Sequence, residues 1–311
     1  MNEKIAIRDA YGQALLMLGG QNSRVVALEA DVGNSTKSIL FGKAYPERYF
    51  NTGISEINMV NMAAGLATEG FIPFVNTFAV FMSSRALDPI QSLIAHDHLN
   101  VKLCGAYCGL SDSYDGASHH SLTDLAIMRS LPGMTVVSVS DPVETFKAVY
   151  ALAALDGPAY LRLSRAEAPT VYSENLSFKI GMGIVLREGT DVAILSTGTV
   201  LHRTLEAADK LARAGIQATV VDMHTLAPFD DALVLQCALQ TECMLTVEEH
   251  SVRGGLGSAV AEVLARNGCA TKLDILGLET FAESGGLDAV LDKYGFGAEN
   301  IAARCIRLLE Q

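Results

Sequence analysis

The chain has 311 residues, half of them hydrophobic, with a formal charge of −12 and no Lys/Arg block. That length favours about two domains of roughly 150 residues each, and a field of that sign repels phosphate backbones, which excludes nucleic acid as the expected partner. Mean hydropathy is +0.27, yet no apolar run approaches the ~18 residues of a bilayer span.

The apolar surplus is therefore expected in large interfaces between subunits of an obligate oligomer. The start, Met1-Asn2-Glu3-Lys4-Ile5, has neither a basic segment leading into an apolar stretch nor a cleavage site, so a cytoplasmic protein is expected. The six cysteines are scattered and mostly embedded in apolar stretches. They read as buried free thiols rather than as a disulfide framework or a zinc site.

In chain order, helical periodicity runs from Ile5 to Leu18 and is expected to stop at Gly19-Gly20. Strands are expected at Arg24–Glu29, Ile72–Val75 and Val101–Ala106, with a helix at Ile57–Thr68 and one long helix at Phe78–Ala95. An unstructured stretch rich in Gly, Ser, Asp and His then runs from Cys108 to His120. Such loops, past the carboxyl end of a buried strand, are where α/β folds place ligands. Helix Leu122–Arg129, strand Thr135–Val139, helix Pro142–Leu155 and strand Ala159–Leu163 complete the first half. The pattern lapses between Ser164 and Gly183. It resumes with strands at Val192–Ser196, Gln217–Asp222, Cys243–Glu248 and Lys272–Leu276, interleaved with helices. This is α/β organisation with parallel sheets, the second part a smaller, independent layer of about 125 residues.

Three segments carry chemistry-bearing residues. Glu56 opens an apolar helix, Gly53-Ile54-Ser55-Glu56-Ile57-Asn58-Met59-Val60. Taken alone, it is either a buried functional acid or a complement to the helix dipole. Phe78 and Phe81, three apart on the expected helix, either present ring faces to a flat heterocycle or fill the core. His119 and His120 follow Asp115-Gly116, a setting for proton transfer or for an idle surface pair. Gly255-Leu256-Gly257 loosely suggests a dinucleotide loop, but the third glycine and a following acid at ~20 residues are missing. A tight turn with close helix packing is expected there instead.

Taken in order, these segments resemble the C-terminal half of transketolase over nearly the whole chain. The resemblance implies a pyrimidine-binding parallel-sheet domain at residues 1–165, a linker at 166–184 and a transketolase C-terminal-like domain at 185–311. It implies thiamine diphosphate as cofactor, with Glu56 as the acid on the aminopyrimidine ring and with Phe81 and Phe78 as its aromatic pocket. By the same resemblance Asp31 contacts the cofactor, Asp115 and His119 meet sugar hydroxyls, and Arg8, Ser35 and Arg165 hold a terminal phosphate or another tetrahedral anion. The segments Asp222-Met223-His224-Thr225-Leu226-Ala227-Pro228 and Glu248-Glu249-His250 resemble the family's C-terminal domain.

Two departures stand near the substrate. Tyr107 replaces a common histidine and Tyr114 a common glutamate, so a branched, deoxy or otherwise modified sugar phosphate enters the range of substrates. The Gly-Asp-Gly segment with which thiamine enzymes bind Mg²⁺ and the diphosphate does not occur in the sequence. The chain is accordingly expected to be one subunit of a split transketolase. An N-terminal subunit would bring the metal and diphosphate site, in an α2β2 assembly. A 2-oxo acid dehydrogenase β subunit and a non-catalytic relative are the alternatives.

Overall fold

A computed structural model describes residues 4–311, and the segment Met1-Asn2-Glu3 lies outside the described residues. Strands such as Val25–Glu29, Lys102–Ala106 and Ala159–Leu163 are buried at every position. Short, near-continuous apolar runs of this kind suit strands covered on both faces. They build a seven-stranded sheet in the order Thr225–Ala227, Thr135–Ser138, Ala159–Leu163, Lys102–Ala106, Ile72–Phe78, Val25–Glu29, Tyr49–Asn51. All pairs are parallel except the one made by Thr225–Ala227. Helices Ile7–Gln21 and Pro142–Ala154 cover one face, and helix Glu56–Thr68 covers the other. A second, five-stranded sheet has the order Lys272–Leu278, Cys243–Ser251, Val192–Ser196, Ala218–Asp222, Ile184–Arg187, the last strand antiparallel. Among the described residues no helix is long and apolar enough to cross a membrane.

The structure departs from the sequence expectations at four places. Helix Ile7–Gln21 runs through Gly19-Gly20 instead of stopping there. A Cβ on Gly19 would lie 2.4 Å from the Phe41 ring, so this glycine permits close packing and does not terminate the helix. The long helix at Phe78–Ala95 is divided: Phe78 ends a strand, Ala79–Ser84 is helical, and Ile90–Ala95 forms a π-helical turn. Residues 108–120, read as unstructured, are largely buried and hold a 3-10 turn at Gly116–Ser118. Nor is the second layer independent. Its strand Thr225–Ala227 extends the first sheet, and one apolar cluster runs from Met59 and Val60 to Val221, Met223 and Val260.

A buried group of acids lies where the two halves meet. Asp141 caps helix Pro142–Ala154 through Glu144 N–H and also accepts the amides of Val171 and Tyr172, each at 2.8 Å. Ser140 Oγ lies 2.8 Å from Glu144 Oε2 and 3.0 Å from Asp222 Oδ2, and Tyr172 O–H donates to Asp222 at 2.7 Å. Burial, with the neighbouring acids, pushes Glu144 well above the usual carboxylate range and Asp222 up to about 7. An acid raised in the folded state lends stability below its unfolded value of about 3.9. That stability is lost as pH climbs through the folded value. Asp222→Asn removes one such group. Urea denaturation should show the variant gaining on the parent chain between pH 5 and pH 8, by on the order of a few kcal/mol. A constant difference across that range would remove Asp222 as the titrating group.

Candidate active site

Loops leaving the carboxyl ends of parallel strands collect on one edge of the sheet. Asp31 follows Val25–Glu29, Phe78 closes Ile72–Phe78, Tyr107 follows Lys102–Ala106, and Arg165 follows Ala159–Leu163. Arg8 comes from the opposite end of the chain. A short antiparallel pair brings it in, with Ala6 opposite Glu167 and Ile5 opposite Ala168, and Ile7 N–H bonds Ala166 O at 3.2 Å.

Glu56 is the first residue of its helix and 6% exposed. Arg85 Nη1 donates to its Oε1 at 3.1 Å, while Oε2 makes no hydrogen bond among the described residues. The Arg85 guanidinium also lies over the Phe81 ring at 3.8 Å, an arrangement that a cation–π contact favours. Phe81 stacks on Phe78 with centroids 5.8 Å apart, and Phe78 stacks on Tyr107 at 4.3 Å. The His119 imidazole stands edge-on to Phe81 at 5.5 Å and to Phe78 at 6.1 Å, with Ser118 Oγ 2.9 Å from its Nδ1. Arg8 Nη1 donates to the Tyr107 hydroxyl at 2.5 Å and to Ser35 O at 3.3 Å. Arg165 pairs with the buried Asp112 at 2.7 Å. Burial and the neighbouring Asp115 raise the Asp112 carboxyl, while Arg165 draws it back. The short contact with a guanidinium describes an ionised pair. One continuous wall thus runs from Glu56 through Arg85, Phe81, Phe78 and Tyr107 to the two arginines.

The loop carrying Tyr107 and His119 is fixed by buried charges. Arg162 Nε donates to Asp124 at 2.8 Å, and its Nη2 donates to Glu249 O at 2.8 Å. Tyr160 O–H adds a second donor to Asp124 at 2.8 Å. Burial would raise the Asp124 carboxyl, but the Arg162 charge, with the hydrogen bonds from Arg162 and Tyr160, outweighs it and holds the group below its usual range. Glu249 Oε2 accepts Leu110 N–H at 3.3 Å, and Glu249 Oε1 accepts the Thr199 hydroxyl at 2.8 Å. Gly109 has φ +57°, and a Cβ there would lie 2.9 Å from Glu249 O, so only glycine passes. His250 Nε2 accepts Ala126 N–H at 3.3 Å, which leaves the proton on Nδ1, 2.8 Å from Ser251 O. The Gly255-Leu256-Gly257 turn already holds an anion of its own. Glu248 accepts Leu256 N–H at 2.7 Å and Gly257 N–H at 2.8 Å, which occupies the helix N-terminus.

The structure therefore groups Glu56, Phe78, Phe81, His119, Arg8, Ser35 and Arg165. Asp31 and Asp115 are exposed, and among the described residues neither is hydrogen-bonded to the aromatic wall; Asp31 takes an Asn51 Nδ2–H bond at 3.0 Å. Sequence reasoning missed Arg85, Asp112, Asp124 and Arg162. Arg85 alone left a trace, four residues after Phe81 on a helical stretch, the spacing at which side chains meet.

The transketolase pyrimidine-binding domain matches residues 3–170 and the transketolase C-terminal domain matches residues 181–301. A 6-deoxy-6-sulfo-D-fructose transketolase subunit from Clostridium sp. strain MSTE9 is 40% identical over 98% of this chain and 95% of its own length. Rat transketolase is 42% identical over 85% of this chain, which spans only 43% of that protein. Among solved structures, a split-gene transketolase described as an inactive beta4 tetramer superposes with a TM-score of 0.92 at 44% identity, covering 98% of this chain and 99% of the other.

Glu249→Ala would leave the buried Leu110 amide without its acceptor. Hydrogen bonds to charged groups contribute ~1.5–3 kcal/mol. Native-state exchange at Leu110 should therefore quicken by about tenfold or more, and an unchanged rate would show that the loop is fixed by other contacts.

Proposed function

The chain belongs to the transketolase family, and from that premise we propose that it is the pyrimidine-binding subunit of a two-chain transketolase. In this reading the enzyme transfers a two-carbon ketol unit between sugar substrates. Family membership implies thiamine diphosphate, which supplies the nucleophilic carbon and the electron sink when bound. The observation that carries the reading is Glu56, a buried carboxyl with Oε1 held by Arg85 and Oε2 open beside an aromatic wall.

Each residue then has a task. Glu56 Oε2 would hold the ring nitrogen of the aminopyrimidine, where exclusion of water keeps a shared proton in place. Phe81, with Phe78 behind it, would cover the ring face. Asp31 would meet the cofactor at the neighbouring strand end. His119 and Asp115 would contact sugar hydroxyls, His119 also moving a proton at a reacting oxygen. Arg8, Ser35 and Arg165 would hold a terminal tetrahedral anion through charge-assisted bonds. The clostridial relative is named for a sulfonated sugar, which supports a specialised sugar here.

We assign the Mg²⁺ and diphosphate site to a separate N-terminal subunit, since Mg²⁺ takes oxygen ligands together with phosphates and the sequence contains no Gly-Asp-Gly. The helix that Glu56 opens supports this. Its outer face shows Ile57 at 53% and Met62 at 38% exposure, with Ile54 just before it at 77%. Exposed apolar patches of this kind mark contact surfaces. The names of two relatives, a transketolase subunit and a split-gene transketolase, agree with a divided enzyme, for which we take α2β2 as the assembly. A 2-oxo acid dehydrogenase β subunit fits less well, because paired arginines at the sugar end have no use with a lipoyl acceptor. Turnover of pyruvate with lipoamide, and none of ketoses, would reverse that choice.

Glu56→Gln in the complex reconstituted with the N-terminal subunit should lower kcat about 100-fold or more, the usual effect of removing an acid–base group. Full activity would refute the assignment. Calorimetry on the isolated chain with Mg²⁺ should show thiamine diphosphate binding no tighter than about 0.1 mM. Micromolar binding would end the divided-site reading.

A further inference from the structure

The arrangement around Tyr107 bears on the substrate of the ketol-transfer reading and rests on that reading. Two guanidiniums lie near the ring, that of Arg8 at 5.5 Å and that of Arg165 at 5.1 Å from its centroid. Tyr107 is 5% exposed, has φ +60° and stacks on Phe78. A left-handed backbone at a bulky aromatic is strained and persists only where the surroundings fix it. The Tyr107 oxygen accepts from Arg8, so its own O–H is free to donate to a ligand. Among the described residues Arg8 Nε is buried without a partner and the Ser35 hydroxyl makes no hydrogen bond.

Charge decides what these donors suit. Arg165 is matched by the fully buried Asp112 at 2.7 Å, while Arg8 has no carboxylate partner among the described residues. One positive charge is therefore left over, beside a loop that also carries Asp115. A phosphate monoester bears about −1.5 to −2 at neutral pH. A sulfonate bears a single charge and still offers three oxygens to donors converging from Arg8, Tyr107 and Arg165. A dianion in this place would face Asp112 with half its charge unmatched, and like charges at short range cost heavily. In the family a histidine commonly stands where Tyr107 does, so the change from imidazole to phenol sits at the point of discrimination.

We propose that Tyr107, Arg8 and Arg165 form a subsite for a singly charged sulfonate at the end of the ketose, and that Tyr107 is the residue that sets the preference for it over phosphate.

The test uses the reconstituted two-subunit complex with D-glyceraldehyde as a neutral acceptor. Fructose bearing a sulfonate at C6 is compared as donor with fructose 6-phosphate. The expected result is a kcat/KM for the sulfonate higher by about tenfold or more, carried mainly by KM. Tyr107→His should lower the sulfonate-to-phosphate ratio about tenfold, and Tyr107→Phe, which keeps the ring and removes the hydroxyl, should lower kcat/KM for the sulfonate through KM. Equal use of the two donors by the parent complex, or a preference for phosphate, overturns the proposal. So does a ratio that neither variant moves. Hydroxypyruvate, a ketol donor with no sulfonate or phosphate, separates the two levels of the reading. If the complex consumes it but neither fructose derivative, the sulfonate subsite is wrong and ketol transfer stands. If none of the three donors reacts, the ketol-transfer reading falls and this proposal with it.

Discussion

The guanidinium of Arg162 is buried to 2% exposure, and a charge in that position must be matched or the fold cannot hold it. Asp124 matches it through Nε, and Nη2 reaches Ser121 O at 3.4 Å and Glu249 O at 2.8 Å. A strand of the first sheet, the end of the His119 loop and a strand of the second sheet are thereby tied at one point. The placement of Tyr107 and His119 follows from that knot. Glu249 holds Leu110, Gly109 passes under the Glu249 carbonyl, and the loop has little room to shift. Precise positioning of a site on a loop requires this kind of support from behind.

The same logic explains why the two layers behave as one body. The strand Thr225–Ala227 belongs to the second half by sequence, yet it completes the edge of the first sheet. Apolar residues of both layers share a single cluster, and the group of Ser140, Glu144, Tyr172 and Asp222 spans the junction with paired polar atoms. Separation of the halves would expose apolar surface and strip Arg162 Nη2 of its Glu249 acceptor. The loop's geometry is therefore coupled to the second layer, which contributes Glu249 and no member of the aromatic wall.

Glu56 shows how a fold can complete one side of a site and leave the other open. The inner face of its helix, with Met59, Val60 and Ala63, is fully buried against the first sheet. The outer face is exposed and carries Ile57 and Met62 beside Asn58 and Asn61. Arg85 draws one carboxylate oxygen toward the Phe81 ring and leaves the second free. Burial and orientation of the acid are thus set within this chain, while the surface facing it is the one we assign to the partner.

The sequence by itself determined the α/β layering, because runs such as Val25–Glu29 and Ala159–Leu163 are apolar at all but one position each and alternate with helical periodicity. It also marked Glu56, Phe78, Phe81, His119, Arg8, Ser35 and Arg165 as a group through its resemblance to transketolase, the last three by that resemblance alone. It misjudged Gly19-Gly20 and the stretch after Phe78. A glycine pressed against Phe41, or a strand that runs on to Phe78, is decided by neighbours distant in the chain. Only the tertiary structure decided the partners: Arg85 with Glu56 across 29 residues, Arg165 with Asp112 across 53 and Arg162 with Glu249 across 87. Local patterns record which faces are buried, since burial is averaged over many neighbours. Which charge answers which depends on single contacts between distant segments, and no local periodicity encodes those.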